Sequence, residues 1–247
     1  MRYLILTDIH ANLEGLETCL NDAGVRGYDE ILVLGDIVGY GPDPNAVIDR
    51  VRDLNPLAIV RGNHDKVALG LNQAEGFHAA AKAAAHWMLD TLTADNRAWL
   101  VALPMGPRLI GDTLEICHGA PFDEDAYIFD ELDARHAFDA ATAPICFYGH
   151  THFPVAFRLT GDSLDIIGPS GNGETTLPVA GDAKYLVNPG SVGQPRDGDP
   201  RAAYAIYDVN EQRVDLIRIP YALEITQAKM HRAGLPEPLA RRLTLGR

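Results

Sequence analysis

Cysteine is scarce in this sequence, and its arrangement matches neither a disulfide framework nor a thiolate site. The three cysteines, Cys19, Cys117 and Cys146, are odd in number, and none of them belongs to a Cys-X-X-Cys motif. Stable pairing of all three within the chain is impossible, and structural zinc sites usually use closely spaced thiolates. A disulfide scaffold and a cysteine-based metal site are therefore not expected.

Long hydrophobic runs are also missing. Met1 and Arg2 are followed only by the apolar stretch Tyr3 to Leu6, whereas a signal peptide needs about 7 to 15 apolar residues. The longest aliphatic stretches, such as 31–34 and 57–60, are short, and a membrane helix needs about 20 residues. We expect a soluble, cytoplasmic protein that does not bind membranes.

Positive charge is the third scarce feature. The 247 residues include 21 Lys and Arg against 34 Asp and Glu, which gives a formal net charge of −13. An acidic surface repels phosphate backbones at long range, so no binding of long nucleic acid is expected. Any phosphate-containing ligand of this chain requires a local positive centre.

The composition is otherwise that of an ordinary globular protein, with 47% hydrophobic and 22% charged residues. A chain of this length corresponds to one or two domains of usual size. We expect one domain over residues 1–247, in which residues 221–247 form a C-terminal helical tail that packs on the rest.

Short apolar strands alternate with helical patterns over the first two thirds of the chain, which is typical of βαβ units. Asn12 and Asp43 are the predicted N-caps of the first two helices, and an alanine-rich helix is predicted over 75–92. The later strands are expected to pair antiparallel, with a mobile loop over the turn-rich segment 168–181. The predicted strands cover residues 3–6, 31–34, 57–60, 114–117, 145–148, 155–159, 185–187, 203–208 and 214–219.

Five of these strands run into residues that can carry chemistry. Ligand sites of open α/β sheets form at the carboxyl ends of strands, so these side chains are expected in one crevice. Taken singly, each motif is weak, because a D-x-H tripeptide usually reflects a buried histidine and Gly-Asp is a common turn. The ordered set predicts a metal site. Its members are Asp8-Ile9-His10, Gly35-Asp36, Gly62-Asn63-His64-Asp65, His118-Gly119 and Gly149-His150-Thr151-His152.

The ordered motifs D-x-H, GD, GNHD, H and GHTH resemble those of the calcineurin-like binuclear metallophosphoesterases. Three flanking blocks, residues 35–49, 96–104 and 188–208, are similar to the small bacterial and archaeal phosphodiesterases related to diadenosine tetraphosphatases. The resemblance implies an α/β fold, namely a four-layer α/β/β/α sandwich of two mixed β-sheets.

Carried over motif by motif, the resemblance implies two divalent metal ions. The implied ligands of the first ion are Asp8, His10, Asp36 and His152. Those of the second are Asp36, Asn63, His118 and His150, which makes Asp36 the bridging carboxylate. This set suits Mn, Fe, Co or Zn without selecting one. Two such ions would supply the missing positive centre, and a hydroxide that bridges them would attack the phosphoester.

The resemblance also gives roles to residues that bind no metal. His64 would protonate the leaving oxygen or stabilise its charge, and Asp65 would orient the ring. The alternative for Asp65 is a turn residue that caps the next segment. Arg196 is a candidate donor to the substrate phosphate. No ligand motif includes His78, His86 or His136, which are interpreted as helix-surface or helix-packing residues.

The implied activity is hydrolysis of a small phosphodiester or nucleotide. Phosphomonoesterase or phosphoprotein phosphatase activity is an alternative that depends on the shape of the pocket. A second alternative is a non-catalytic metal-binding scaffold that retains the fold. Near the predicted turns, the aromatic residues Tyr40, Tyr127 and Phe129 are candidates either for stacking on a nucleobase or for packing in the core.

Overall fold

The computed structural model describes residues 1–70, 78–171 and 173–247. Within these ranges twelve strands form two sheets, and eight helices accompany them. The strands are β1 (Arg2–Leu6), β2 (Glu30–Val33), β3 (Ala58–Ile59), β4 (Arg108–Ile110), β5 (Leu114–Ile116), β6 (Ile145–Phe147), β7 (Val155–Thr160), β8 (Ser163–Ile167), β9 (Glu174–Pro178), β10 (Lys184–Asn188), β11 (Ala202–Asp208) and β12 (Arg213–Ile219). The helices are α1 (Leu13–Arg26), α2 (Pro44–Asp53), α3 (Asn63–Ala68), α4 (Ala79–Thr91), α5 (Ala94–Val101), α6 (Glu131–Ala140), α7 (Leu223–Arg232) and α8 (Glu237–Leu245).

Both sheets are mixed. The first has the order β3-β2-β1-β11-β12-β9, in which β1, β2 and β3 are parallel and the remaining pairs are antiparallel. The second has the order β4-β5-β6-β10-β7-β8, in which β5, β6 and β10 are parallel. Each sheet therefore has a set of three parallel strands whose carboxyl ends lie at one edge.

The alternation of side chains along β1 shows how the layers are built, because successive residues of a strand point to opposite faces. Leu4 and Leu6 belong to the core that includes Leu16 and Cys19 of α1, whereas Ile5 belongs to a second core between the sheets. In that second core Ile5 is accompanied by Phe147 of the other sheet.

A third core lies on the outer face of the second sheet, where Ala134, Ala137 and Phe138 of α6 pack with Cys146 and Leu186. Helices thus cover the outer face of each sheet, and the two inner faces pack together. This order of layers confirms the expected four-layer α/β/β/α sandwich of two mixed sheets.

Local signals account for several helix ends. Asn12 caps α1 as expected, and its side chain accepts a hydrogen bond from Gly15 N at 3.0 Å. Asp43 occupies the N-cap position of α2 but makes no capping hydrogen bond, since its carboxylate pairs with Lys229 of α7 at 2.8 Å. This ion pair fastens the C-terminal helices to the body of the protein.

Some predicted boundaries were wrong. The segment 168–181 was expected to be a loop, but it contains β9, whose residues pair with β12. β4 and β8 were missed, since both are short and largely exposed, which removes the apolar pattern that marks a buried strand. The alanine-rich helix begins at Ala79, and the part of its prediction over 75–77 lies outside the described residues.

No helix in the described ranges combines the length and the hydrophobicity that a bilayer crossing requires.

Candidate metal centre

The predicted ligands come together where the parallel strands of the two sheets end. Asp8 follows β1, Asp36 follows β2, and Asn63 begins α3 directly after β3. From the other sheet, His118 follows β5 and His150 follows β6. The sheets are joined here because His118 Nδ1 lies 2.8 Å from the Leu34 carbonyl and His150 N donates to Asp8. All these side chains except Asn63 are buried.

The backbone at these positions is strained. Non-glycine residues seldom adopt positive φ, and each such residue costs of the order of 1 to 3 kcal/mol. Such strain persists only where the surrounding structure enforces it, and it concentrates at functional sites. Here it brings neighbouring side chains to one point. Five of the seven predicted ligands have φ between 49° and 67°, namely Asp8, His10, Asp36, His150 and His152.

Two groups of side chains are arranged as a metal ion requires, and they share Asp36. In each group the ligand atoms lie within 4.8 Å of one another. One group contains Asp8, His10, Asp36 and His152, and the other contains Asp36, His118 and His150. Asn63 joins the second group, since its Oδ1 lies 3.1 Å from His118 Nε2. The structure thus brings together all seven residues predicted as ligands.

The pairing of atoms inside the groups fits a cation. Nδ1 of His10 lies 3.2 Å from the Val38 carbonyl, and His152 Nδ1 is bonded to the Gln194 carbonyl. When each Nδ1 donates to its carbonyl, each Nε2 carries a lone pair. These two Nε2 atoms face each other at 3.1 Å. Facing lone pairs repel, and a cation between them removes the repulsion.

The second group shows the same mismatch when its histidine is neutral, which is the form that binds metal. Nδ1 of His118 lies 2.8 Å from the Leu34 carbonyl, so a neutral His118 ring that donates there would place its Nε2 lone pair opposite the acceptor Oδ1 of Asn63. Oδ2 of Asp36 is buried without a hydrogen-bond partner among the described residues, and it lies 3.5 Å from Nε2 of both His10 and His118. A buried carboxylate oxygen without a donor is costly. The donor set and this oxygen therefore both fit divalent cations.

Charge within the site follows from burial and from these contacts. Burial, with the Asp36 charge, raises the pKa of Asp8 to about 7 even though His118 opposes the shift. Burial acts to raise the pKa of Asp36 as well, but His118, His64 and His10 outweigh it and hold that pKa well below its usual value. Asp36 is therefore the carboxylate that stays ionised.

The pKa values of the histidines are also shifted in opposite directions. Burial lowers the pKa of His150 to about 3 and that of His10 and His152 well below the usual value. Neutral imidazole is the form that binds metal. Burial opposes protonation of His118 too, but the nearby charges of Asp36 and Asp8, with the hydrogen bond to the Leu34 carbonyl, raise its pKa to about 10. In the absence of metal, His118 is thus the imidazolium that balances Asp36.

The acidic segment Asp123–Asp125 positions His150. Arg61 makes a bidentate ion pair with Glu124, and Lys66 bonds to both Glu124 and Asp125. The Asp125 carbonyl then lies 3.1 Å from His150 Nε2. When Nε2 donates to this carbonyl, the Nδ1 lone pair of His150 becomes the ligand atom.

His64 and Asp65 begin α3 beside these groups. The His64 ring lies 4.3 Å from the Tyr40 ring and 5.0 Å from the His10 ring, measured between centroids. Oxygens of Asp65 accept hydrogen bonds from Gly62 N at 2.9 Å and Val38 N at 3.1 Å, so Asp65 caps α3. The capping alternative for Asp65 is therefore present in the structure, while its orienting role towards the ring stays a prediction.

Burial lowers the pKa of His64 to about 4. The ring is neutral at neutral pH in the ligand-free protein. A role as proton donor therefore depends on negative charge brought beside the ring by a substrate, which raises the pKa of an imidazole. The role of His64 as a proton donor stays a prediction.

Asn188 and Ser191 support the ligand loops, a role that the sequence analysis did not assign to them. Asn188 Nδ2 donates to the Gly149 carbonyl at 2.7 Å, and Ser191 Oγ donates to the Asp8 carbonyl at 2.8 Å. The available signal was their position at and just after the carboxyl end of β10, which is parallel to the ligand-bearing strand β6.

A cavity of about 210 Å³ opens beside the two groups. Arg196 lines it and donates to Tyr40 Oη and Gln194 Oε1, both at 3.1 Å. His78, interpreted above as a helix residue, caps α4 and also lines the cavity. The remaining lining residues are Asp36, Tyr40, Asn63, His64, Ala81, Tyr127, His150, His152 and Arg242. Arg242 comes from α8, and sequence reasoning assigned it no role in the site.

The three aromatic candidates differ in position. Tyr40 is buried and contacts the rings of both His10 and His64, so it packs in the core. Tyr127 stacks on His150 at 3.9 Å and Phe129 stacks on Tyr127 at 5.1 Å, and both are exposed. His86 and His136 lie on exposed helix faces, as interpreted from the sequence.

Comparison with known proteins agrees with this geometry. Residues 1–212 match the family model of the calcineurin-like phosphoesterase superfamily domain. The chain is 35% identical, over 98% of its length and 97% of the relative, to the uncharacterized protein MJ0912 of Methanocaldococcus jannaschii. It is 41% identical to a metallophosphoesterase of Sphaerobacter thermophilus, whose crystal structure superposes with a TM-score of 0.89 over 100% of this chain and 99% of the other.

A hypothetical protein of Pyrococcus horikoshii OT3, PH1004, has the same fold at 20% identity, with a TM-score of 0.79 over 100% of this chain and 98% of that protein. The fold and the site define a metal-binding phosphoesterase. The chain belongs to the calcineurin-like phosphoesterase superfamily.

Substitution of Gly62 tests the packing around Asp36. A Cβ atom at Gly62 would collide with Asp36 Oδ1 and with the Asp36 backbone. We expect Gly62→Ala to displace this carboxylate and to weaken metal binding at least 10-fold, the usual cost of disturbing a group that positions a ligand. Titration of the metal-free protein with Mn, followed by calorimetry, measures the loss.

The matched control is Gly24→Ala in α1, where an added Cβ meets nothing within 4 Å. We expect this variant to bind metal normally and to gain about 0.5 to 1 kcal/mol in stability from the better helix propensity of alanine. Equal metal affinity in the two variants would show that the approach of Gly62 to Asp36 does not matter.

Proposed function

We propose that the protein hydrolyses a small phosphodiester or nucleotide with two divalent transition-metal ions, in the cytoplasm and without membrane or long nucleic-acid partners. The observation that carries this proposal is Asp36 Oδ2, which lies at equal distances from a ligand of each group and borders the cavity. With the ions bound, Asp36 would be the carboxylate that both ligand groups share.

When bound, two such ions neutralise phosphoryl oxygens and lower the pKa of a coordinated water. Side chains of this protein would bind the ions and the substrate. One ion would be held by Asp8, His10 and His152. The other would be held by Asn63, His118 and His150, and Asp36 would bind both ions. Arg196 would donate to a non-bridging phosphoryl oxygen, since its guanidinium lines the cavity and its Nε is buried without a partner among the described residues.

His64 would deliver a proton to the leaving oxygen. Its ring lines the cavity and is held against Tyr40 and His10. The negative charge of a bound phosphoester favours the imidazolium, so substrate binding itself would charge the ring. Asp65 would contribute by fixing the start of α3, from which His64 projects.

The size of the cavity favours a small substrate over a phosphoprotein. Pockets that bury drug-sized ligands span roughly 300 to 1,000 Å³, and this cavity of about 210 Å³ is smaller. A compact phosphoester fits such a volume, with further groups of a nucleotide extending past the exposed Tyr127. The scaffold alternative is disfavoured because His64, which is not among the predicted ligands, also lines the cavity beside the complete ligand set.

A substrate panel with added Mn tests the proposal. The panel contains p-nitrophenyl phosphate, bis(p-nitrophenyl) phosphate, cyclic nucleotides and dinucleoside polyphosphates, with kcat/KM measured for each. We expect at least one diester or nucleotide to exceed the monoester by more than 10-fold. Turnover of the monoester alone would favour the phosphomonoesterase alternative, and no turnover by metal-loaded protein would favour the scaffold.

The bridging role predicts an ordering among variants. Asp36→Asn removes charge from both ligand groups, whereas Asp8→Asn and His150→Ala each affect one. We expect Asp36→Asn to lose the most bound metal and the most turnover at saturating Mn, by elemental analysis and by kcat. If Asp36→Asn kept more of either than both other variants, the bridge assignment would be wrong.

The role of His64 predicts a dependence on the leaving group. General-acid catalysis contributes about 10² to 10⁴-fold, and a poor leaving group needs it most. We expect His64→Ala to lose that factor on alkyl or nucleoside esters and much less on nitrophenyl esters, with its metal content unchanged. Asp65→Asn should show the same trend more weakly.

His86→Ala, on the exposed face of α4, is the control for a histidine outside the cavity. Equal losses of His64→Ala on both classes of ester would leave charge stabilisation as its role. Loss of metal in His64→Ala would instead identify His64 as a ligand.

A further inference from the structure

The C-terminal helix α8 forms part of the cavity wall. Arg242 on α8 lines the same cavity as Arg196, which lies in the segment after β10. The match to the superfamily model ends at residue 212, so α8 lies beyond the matched region. The wall that contains Arg242 is therefore an addition to the part of the chain that carries the metal ligands.

Packing fixes the position of α8. Leu239, Ala240 and Leu243 are buried in a cluster with Ala81 and Ala84 of α4. Tyr40, which contacts the rings of His10 and His64, belongs to the same cluster. The side chain of Gln227 in α7 also donates to the Ala240 carbonyl at 2.7 Å. Arg242 is thus held at the cavity by a packed helix.

Both cavity arginines lack a carboxylate partner within the described part of the chain. The acidic residues that follow Arg196 are engaged elsewhere, because Asp197 pairs with Arg218 and Asp199 pairs with Arg201. Arg196 donates only to neutral oxygens, and its Nε is buried without a partner. In a chain of net charge −13, two arginines without acidic partners at one cavity mark a place for an anion.

The charges of Arg242 and Arg196 act on the same part of the cavity wall. Besides burial, both Arg242 and Arg196 lower the pKa of His78, which also lines the cavity. A guanidinium presents a planar fork of donors that matches phosphate oxygens. In the proposed function the metal ligands and Arg196 would serve the phosphoryl group that is cleaved, so the charge of Arg242 would be available for another group.

We propose that Arg242 binds a second phosphate group of the substrate, so that the preferred substrate is a small phosphoester that carries a further phosphate close to the scissile one. This inference rests on the proposed function. Arg242 is then a specificity-determining residue, and α8 is the element that distinguishes substrates with two phosphates from those with one.

Inhibition by two matched compounds tests the proposal. Methylphosphonate carries one phosphonate and methylenebisphosphonate carries two, and both are tested against hydrolysis of bis(p-nitrophenyl) phosphate in excess Mn. We expect the bisphosphonate to bind the wild-type protein at least 10-fold more tightly than the monophosphonate. In Arg242→Gln this preference should fall by about 10-fold or more, since a hydrogen bond to a charged group is lost.

The neighbouring Arg241 on the same helix is exposed and absent from the cavity lining, so Arg241→Gln is the control and should behave as wild type. Chelation of Mn by the bisphosphonate is common to all variants and cancels in their comparison. Arg242→Lys keeps the positive charge but lacks the planar set of guanidinium donors, so it should retain part of the preference for the bisphosphonate. If Arg242→Gln does not fold, the role of Arg242 is still tested by the bisphosphonate preference of Arg242→Lys compared with that of the wild-type protein.

Thermal stabilisation of each variant by the two compounds gives a readout that does not depend on turnover. A bisphosphonate preference equal in wild type and Arg242→Gln, or absent from wild type, would overturn the role of Arg242 and leave the proposed function intact. Bisphosphonate stabilisation that depends on Arg242, without hydrolysis of any panel ester, would instead overturn the proposed function.

Discussion

The carboxylate of Asp36 lies buried where the ends of the two sheets meet, with one oxygen 3.5 Å from Nε2 of both His10 and His118. Around it the lone pairs of His10 and His152 face each other, and a neutral His118 ring would face Asn63 Oδ1 in the same way. This arrangement of acceptors is unfavourable unless positive charge lies between them. Cations at this point would remove the conflict, and the surrounding structure is organised to present these acceptors together.

The constraint extends into the backbone and the supporting hydrogen bonds. Positive φ at five ligand positions costs several kcal/mol in total by the usual values. The fold maintains this strain with fixed contacts: carbonyls orient three histidine rings, Ser191 holds the Asp8 carbonyl, and the ion pairs of Arg61 and Lys66 hold the segment that contacts His150. A net acidic chain thereby gathers its acidic and imidazole groups where cations compensate them.

The parts of this arrangement that could be predicted from sequence are those set by local pattern. Apolar runs located the parallel strands, and the residues after them identified all seven side chains that meet at Asp36. Positive φ could not be predicted from the sequence, because most Asp and His residues adopt negative φ even though both types are enriched in the left-handed region. The helical tail was predicted, but its place at the cavity was missed for another reason: Arg242 reaches the cavity through the packing of α8 on α4, a contact distant in the chain. β9 was missed because its pairing with β12 outweighs its turn-rich composition.

The most direct test of the binuclear account is the anomalous scattering of crystals grown with Mn, measured near the manganese absorption edge. We expect two peaks about 3.5 to 4 Å apart, the usual spacing of two-metal sites, with Asp36 Oδ2 between them and Asp8 and His150 on opposite sides. A single peak at full occupancy in saturating Mn, with His118 Nε2 still in contact with Asp36, would contradict the account.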